Sequence, residues 1–463
     1  MINTIKSVLT YINQIKAIIM KQIILSILIS LTALVATAQT SATRKSVNYE
    51  AANWNTRLLD KPEQIMSVAV PGAAQTKAEL QTIKQRLSKL DAKKLQEIKY
   101  WDAGAPSYRW NQIAPELIDQ KPASMLRFPT AWVNLAIYDA TILGWKEKIK
   151  YKRKRPNVLD PSIQPVVNTP LTYSYPCEHS VTAAAAAYVL AYFFPEKADS
   201  ILQMGHAAGQ SRIDAGVQYP SDVEAGWKLG EQVAKQIIEK AKNDGSAKVW
   251  DGKMNKDPKK WTGNYPMGIT LALFTPIVLR SPDQFRPPAP PDFEADMKEL
   301  KNFKSTFESR SLAYYWANNG TFAYWSDVAA KKMFEYHIMD DAPAAARIYA
   351  VLHIAYHDAG IGIMDAKYAY WGIRPNQYDT TYKSLIPTPP FPGYPSGHAA
   401  GAGTTSTVLA YFFPSDAKEF IQLAQDCADS RFYAGIHFRT DNETGLHMGK
   451  ELGKYIVETW MKE

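Results

Sequence analysis

The chain is written twice. Arg155-Pro156-Asn157 recurs as Arg374-Pro375-Asn376, Pro176 and His179 as Pro395 and His398, and Ser211-Arg212 as Ser430-Arg431. Leu190-Ala191-Tyr192-Phe193-Phe194-Pro195 returns letter for letter as Leu409-Ala410-Tyr411-Phe412-Phe413-Pro414, and Asp222 returns as Asp441. Each pair lies 219 residues apart, a register that chance does not hold over such a length. Upstream, Trp101 and Trp110 match Trp316 and Trp325 at an offset of 215, so a short insertion separates two blocks. Any fold for this chain must hold two like units, at about 100–240 and 315–460.

Both units read as helical. Pro343 to Tyr368 carries apolar residues at helical spacing, after the carboxylates Asp340 and Asp341. Pro343 suits a first helical turn, where its missing N–H is not needed. Residues 399–413, 417–433 and 444–461 continue as helices, and alternating strand patterns are scarce. With 46% hydrophobic residues in 463, a packed core is affordable. The expectation is an all-α chain of two tandem helical bundles. It divides into residues 39–245, a loop-rich, proline-bearing connection over 246–314, and residues 315–463.

The first 38 residues read as an export signal. Lys21 precedes the apolar run Ile23 to Val35, and Ala36-Thr37-Ala38 offers a small-residue cleavage site. Met20 is an alternative start. Export, to a periplasm, is therefore expected, with no further membrane span. A net charge of +8 favours anionic ligands only weakly, and no nucleic-acid motif accompanies it. Cys177 and Cys427 are too few for a disulfide framework and read as packing residues, with a single bridge as the alternative.

Three clusters in the second copy carry chemistry. They are Lys367 with Arg374-Pro375, then Pro395-Ser396-Gly397-His398, then Ser430-Arg431 with His437 and Asp441. A tetrahedral oxyanion needs cations and N–H donors converging on its oxygens. Lys367, Arg374 and Arg431 supply charge, and the arginines can donate two bonds each. Ser396-Gly397-His398 falls where a helix should begin, so free backbone N–H groups suit an anion there. Asp441, four residues after His437, can fix the imidazole tautomer and leave its other nitrogen to attack. Each cluster alone is a commonplace surface or capping feature. All three in order point to a site for phosphate or vanadate.

These clusters resemble the signature of the type 2 phosphatidic acid phosphatase and vanadium haloperoxidase superfamily. The segment Ser281 to Pro287, the pair Trp316 and Trp325, and Phe391-Pro392-Gly393-Tyr394 are similar to its bacterial haloperoxidase-like branch. The resemblance implies a helical bundle in which Lys367, Arg374, Ser396, Gly397 and Arg431 hold the anion's oxygens. It implies that His437 bonds phosphorus or vanadium and that His398 acts as acid and base. One reading is an exported acid-phosphatase-like hydrolase of phosphoric monoesters, with a phosphohistidine intermediate, no metal and no cofactor, acting on a small phosphorylated substrate. The alternative is a haloperoxidase holding vanadate on His437, with peroxide and halide as partners. A second alternative is a non-catalytic anion-binding protein. The 32 residues between His398 and Arg431 favour the phosphatase; Phe391 and the tryptophans pull towards the haloperoxidase.

The first copy keeps Lys148, Arg155, His179, Arg212 and Asp222 but has Gln218 for His437 and Cys177-Glu178 for Ser396-Gly397. An amide cannot be the nucleophile, and a carboxylate in the cradle repels an anion. This copy is expected to be structural. His353 and His357 are spaced to bind a metal, but Asn134 and Tyr138 occupy those places in the first copy, which favours packing. Asp358 matches Asp139, which suggests a shared structural role. His179, His206, His337 and His447 carry no catalytic role in this reading.

Overall fold

The computed structural model describes residues 47–65, 68–121, 128–318 and 321–462, and among them every regular element is a helix. The export signal lies outside the described residues. The first copy contributes α1 (Ala73–Leu87), α2 (Ala92–Asp102), α3 (Tyr108–Gln120), α4 (Pro129–Tyr151), α5 (Glu178–Phe193), α6 (Ala198–Asp214) and α7 (Pro220–Lys242). A loop-rich stretch leads to α8 (Glu294–Asn302), α9 (Phe307–Asn318), α10 (Thr321–Glu335), α11 (Ala342–Tyr370), α12 (Gly397–Phe412), α13 (Ala417–Tyr433) and α14 (Arg439–Lys462). Helices α12 and α13 sit on α5 and α6 residue for residue at the 219 offset.

Residues 48–463 form one compact unit. The two bundles share a continuous core that includes Trp110, Trp132 and Leu135 from the first copy and Trp316, Trp325 and Tyr349 from the second. Helices α4 and α11 meet at its centre, which is why both are apolar on every side rather than along one stripe. Asp341 caps α11 by accepting the Ala344 N–H at 3.1 Å. Among the described residues no helix is long and apolar enough to cross a membrane. Both cysteines are free and buried.

Glycines fix the approach of the site-bearing helices. A Cβ on Gly445 would lie 2.5 Å from the Ser396 carbonyl oxygen, and one on Gly449 only 2.0 Å from that of Ala400. Only glycine lets α14 come this close to α12. The contact brings Ser396 N–H to the Asp441 carbonyl at 2.9 Å. Gly226 and Gly230 hold α7 on α5 in the same way, and Cys177 N–H meets the Asp222 carbonyl at 2.9 Å.

Asp358 and Asp139 share the structural role expected of them. Asp358 accepts the backbone N–H groups of Ile277, Val278 and Leu279, and Asp139 those of Arg57 and Leu58. Each carboxylate ties the segment before its bundle onto a central helix. The repeat thus reaches further upstream than its first signals. Pro62-Glu63-Gln64 and Pro282-Asp283-Gln284 are counterparts at an offset of 220.

Candidate oxyanion site

The second copy gathers its three clusters at one place because three chain breaks meet there. Helix α11 ends at Trp371, whose φ of 51° reverses the chain and returns Arg374 towards Lys367 in the last helical turn. Helix α12 begins at Gly397 with no side-chain cap. The N–H groups of Gly397, His398 and Ala399 therefore lack partners, as first-turn amides do. A turn at Gly435 (φ 70°) then delivers His437 just ahead of α14.

His437 is nearly buried, and both its nitrogens are engaged. Nδ1 lies 2.9 Å from Asp441 Oδ2, and Nε2 lies 2.9 Å from Arg374 Nη1. A guanidinium only donates, so Nε2 carries the lone pair and Nδ1 carries the proton given to Asp441. The geometry is not the helical i, i+4 pair the spacing suggests. His437 precedes the helix, and Asp441 reaches back from the first turn, also accepting the Phe438 N–H at 3.1 Å. One carboxylate oxygen thus caps α14 and orients the imidazole. Burial, then the Arg374 and Lys367 charges, hold His437 well below its usual pKa, and burial pushes Asp441 up to about 7.

Several polar groups at this place have no partner. Arg374 donates from Nε to the Phe391 carbonyl at 3.0 Å and from Nη1 to the Ile436 carbonyl at 2.7 Å, while Nη2 is buried and unpaired. The Ser396 hydroxyl and Asp441 Oδ1 are also buried without partners. Arg431 uses Nε on Ser430 Oγ and Nη2 on the Ala313 carbonyl, each at 2.9 Å, and Nη1 makes no bond to the described residues. A Cβ on Gly397 would meet only Ile363 and Lys367 at ordinary contact distance, so the space beside this glycine is open. Unpaired donors around open space suit an anion with several oxygens. This donor set fits phosphate and vanadate equally.

Lys367 differs from expectation. Its ammonium, fully buried, donates to the carbonyls of Pro392, Gly393 and Pro395 at 2.7, 2.8 and 2.7 Å. All three N–H bonds are used, so in this state it offers the site charge and no free donor. The Phe391 ring sits 5.2 Å from Lys367 Nζ and 5.1 Å from the Arg374 guanidinium carbon, a cation–π cover for both. Burial, then Arg431, Lys367 and Arg374, lower the pKa of His398 to about 3, against an opposing pull from the Trp316 backbone.

The first copy reproduces the cradle with its ligand built in. The Glu178 carboxylate takes Arg155 Nη2 at 2.8 Å on one oxygen, and Lys148 Nζ at 2.8 Å and Gln218 Nε2 at 3.0 Å on the other. Burial raises its pKa, but Arg155 and Lys148 outweigh that and hold it well below the carboxylate range. Arg212 Nη1, the counterpart of the free Arg431 Nη1, is taken by Asp102 at 2.5 Å. Asp102 was invisible as a site residue because it follows the 215 offset, where Ala317 is its counterpart.

The paired histidines on α11 serve packing. His353 lies 3.4 Å from Ser326 Oγ, where the first copy has the reciprocal Asn111–Asn134 pair. His357 donates from Nδ1 to Asp358 Oδ1 at 2.7 Å and rests edge-on to Phe128 and Trp132.

A family model described as the PAP2 superfamily matches residues 130–242 and again 346–461. A 52-residue stretch, 11% of the chain, is 44% identical to a non-specific acid phosphatase of Providencia stuartii and spans 21% of that protein. Among solved structures, the first bacterial vanadium-dependent iodoperoxidase superimposes with a TM-score of 0.56 at 22% identity. It covers 85% of this chain and 98% of its own. A holo-type bacterial vanadium-dependent chloroperoxidase gives 0.56 at 16% identity, covering 73% of this chain and 92% of its own. With the family model matched once in each copy and the helical architecture shared, the chain belongs to the PAP2 superfamily.

Proposed function

We propose that the chain is an exported phosphoric monoester hydrolase that works through a phosphohistidine on His437. The observation that carries this reading is the His437 Nε2 lone pair, its tautomer fixed by Asp441, set among the unpaired Arg374 Nη2 and Ser396 hydroxyl and an Arg431 whose Nη1 makes no bond to the described residues. Arg374 Nη1 releases the Nε2 lone pair as the ligand enters; Nε2 attacks phosphorus, the N–P bond forms, and the P–O ester bond breaks. His398 gives the departing alcohol its proton, the negative ligand having made the protonated ring tolerable. Water, deprotonated by His398, then cleaves the N–P bond and releases phosphate. Arg374 Nη2, Arg431 Nη1 and the amides opening α12 stabilise charge on the equatorial oxygens. Lys367 adds its buried charge. The short link from His398 to Arg431, α12 and α13 with one turn between them, and the local identity to an acid phosphatase support hydrolysis.

A second reading rests on the two-bundle likeness to the iodoperoxidase, which extends over nearly all of that chain. His437 Nε2 and the same donors would hold vanadate, which would supply Lewis-acid activation of peroxide towards a halide. The test is one comparison. Purified protein is assayed with p-nitrophenyl phosphate, then with orthovanadate, peroxide and iodide or bromide. Hydrolysis abolished by vanadate, without halide oxidation, supports the phosphatase. Vanadate-dependent halide oxidation replaces it with the second reading, and phosphate binding with neither activity leaves an anion-binding protein.

A further inference from the structure

Phe438, Arg439 and Thr440 separate His437 from Asp441, and residues of the connection hold each of them. The Phe293 ring stacks on Phe438, with centroids 4.3 Å apart and planes 12° from parallel, and both rings are buried. Glu299 accepts Arg439 Nε at 2.7 Å, in a half-exposed pair that contributes little by itself. Asp296, on α8, reaches the backbone. It accepts the Thr440 N–H at 2.8 Å on one oxygen and the Thr440 hydroxyl at 2.9 Å on the other. Phe438 precedes α14 and has no side-chain acceptor to offer the first-turn amides. One of those amides is therefore satisfied from another helix, and by a carboxylate, the charge that a helix N-terminus favours.

The first copy shows what more such a cap can carry. Glu79 of α1 accepts the Ser221 N–H at 3.1 Å and its hydroxyl at 2.9 Å, the same cap on α7. There Arg153 adds a clamp, donating to Glu79 at 3.0 Å and to Asp222 at 2.6 Å. The second copy has Gly372 at that place, and a Cβ on it would lie 2.6 Å from Tyr394 Cβ, so no arginine can stand there. An arginine would also draw on the carboxylate that orients His437. Asp441 is instead left to the His437 Nδ1 proton and the Phe438 N–H. It can hold the imidazole only while the first turn of α14 keeps its place, and helix ends fray. Asp296 ties the backbone of that turn to α8, and its charge opposes those of Arg374 and Lys367 at Asp441.

We propose that Asp296 is a positioning residue: by capping α14 at Thr440 it keeps Asp441 turned to His437 Nδ1, and so keeps Nε2 the bare nitrogen. The inference rests on the histidine nucleophile proposed above. Nitrogen-15 NMR of the histidine-labelled full chain near neutral pH reads the tautomer directly, and the signals missing from His437→Gln identify His437. Wild type is expected to show a protonated Nδ1 and a bare Nε2. Asp296→Ala should draw the two shifts together as the tautomers mix. It should lower kcat on p-nitrophenyl phosphate by roughly 10- to 100-fold and leave KM within about twofold. Asp296→Asn keeps an oxygen for the Thr440 N–H and should restore most of both readouts. Arg439→Ala breaks only the half-exposed pair and should leave both as in wild type. Thr440→Val removes one of the two bonds and should move both readouts the same way by less, which decides the matter should Asp296→Ala fail to fold. Unmoved His437 shifts in Asp296→Ala, an equal response from Arg439→Ala, or a loss that falls on KM alone overturns the positioning role and leaves the phosphatase standing. Mixed tautomers in Asp296→Ala, from a wild type that hydrolyses nothing, remove the phosphatase and keep Asp296 as the residue that orients His437.

Discussion

The two copies hold the same cationic cradle, and one of them has closed it with its own carboxylates. Lys148 and Lys367 donate to matching carbonyls, and Arg155 and Arg374 both reach a carbonyl just ahead of α7 or α14, at Val217 and Ile436. Arg212 and Arg431 both anchor on the helix that opens their copy's match, through Ile98 of α2 and Ala313 of α9. The copies part where the anion would sit. Glu178 and Asp102 satisfy the first cradle, and Gly397 and Ala317 leave the second open. The carboxyl partner differs too. Asp222 is neutralised by Arg153 at 2.6 Å, where the second copy has Gly372, so Asp441 keeps an oxygen free. A buried cluster of cations needs negative charge from somewhere. In the first copy it is covalently attached, and in the second it must come from a ligand.

The comparison breaks most sharply at the nucleophile. His437→Gln writes the first copy's residue into the second and should lower kcat on p-nitrophenyl phosphate by about 10⁴-fold or more. An activity within tenfold of wild type would move the chemistry elsewhere. Glu178→Ala strips the first cradle of its ligand and strands Lys148 and Arg155 in the interior. Urea unfolding should report a loss of roughly 3–5 kcal/mol, the scale for a buried pair broken on one side. A loss below 1 kcal/mol would mean that Glu178 does not carry that burden. The reciprocal change, Gly397→Glu, places a carboxylate where Arg374 Nη2 waits, and the backbone there has room for a side chain. It should abolish the rise in melting temperature given by phosphate, while the ligand-free protein stays as stable as wild type or gains. Retention of the phosphate response would show that the anion binds somewhere else.

The smallest effect is a slope in pH. Burial, with Arg431 for one and Arg212 for the other, lowers both His398 and His179 to about 3 from 6.5. The unfolded chain takes up protons as pH falls through 6.5, and the folded chain does not until near 3. Stability is therefore full above 6.5 and declines towards 3, by at most about 1.4 kcal/mol per pH unit for each histidine. Saturating phosphate should flatten the part due to His398, because a bound anion favours its protonated ring. It should leave the part due to His179, whose cradle is closed. Urea midpoints at pH 7, 6 and 5, for His398→Gln and His179→Gln with and without phosphate, separate the two contributions. An equal response of both variants to phosphate would contradict the asymmetry.

Much of this was legible in the sequence, because residue types at fixed offsets survive translation into space. The helical class, the repeat, the convergence of Arg374, His398, Arg431 and His437, and the carboxylate of Glu178 in the first cradle all follow from one-dimensional spacing. What spacing could not carry was backbone. Lys367 is saturated by three carbonyl oxygens, and no side-chain pattern announces that. The shared core of α4 and α11 arises because both helices are apolar all round, which periodicity alone does not assign to a partner. Asp102 hid behind a change of offset, and its counterpart Ala317 is chemically silent. The upstream extension, Pro62-Glu63-Gln64 against Pro282-Asp283-Gln284, sits at a third offset and became visible only when Asp139 and Asp358 were seen holding equivalent backbone amides.

The stoichiometry of oxyanion binding tests the central claim most directly. Titration of the full chain with orthovanadate, followed by calorimetry, should give one site per chain, abolished in Gly397→Glu and kept in Gln218→Ala. Two sites per chain, or a site that survives Gly397→Glu and disappears with Gln218→Ala, would mean that the open and closed cradles have been assigned the wrong way round.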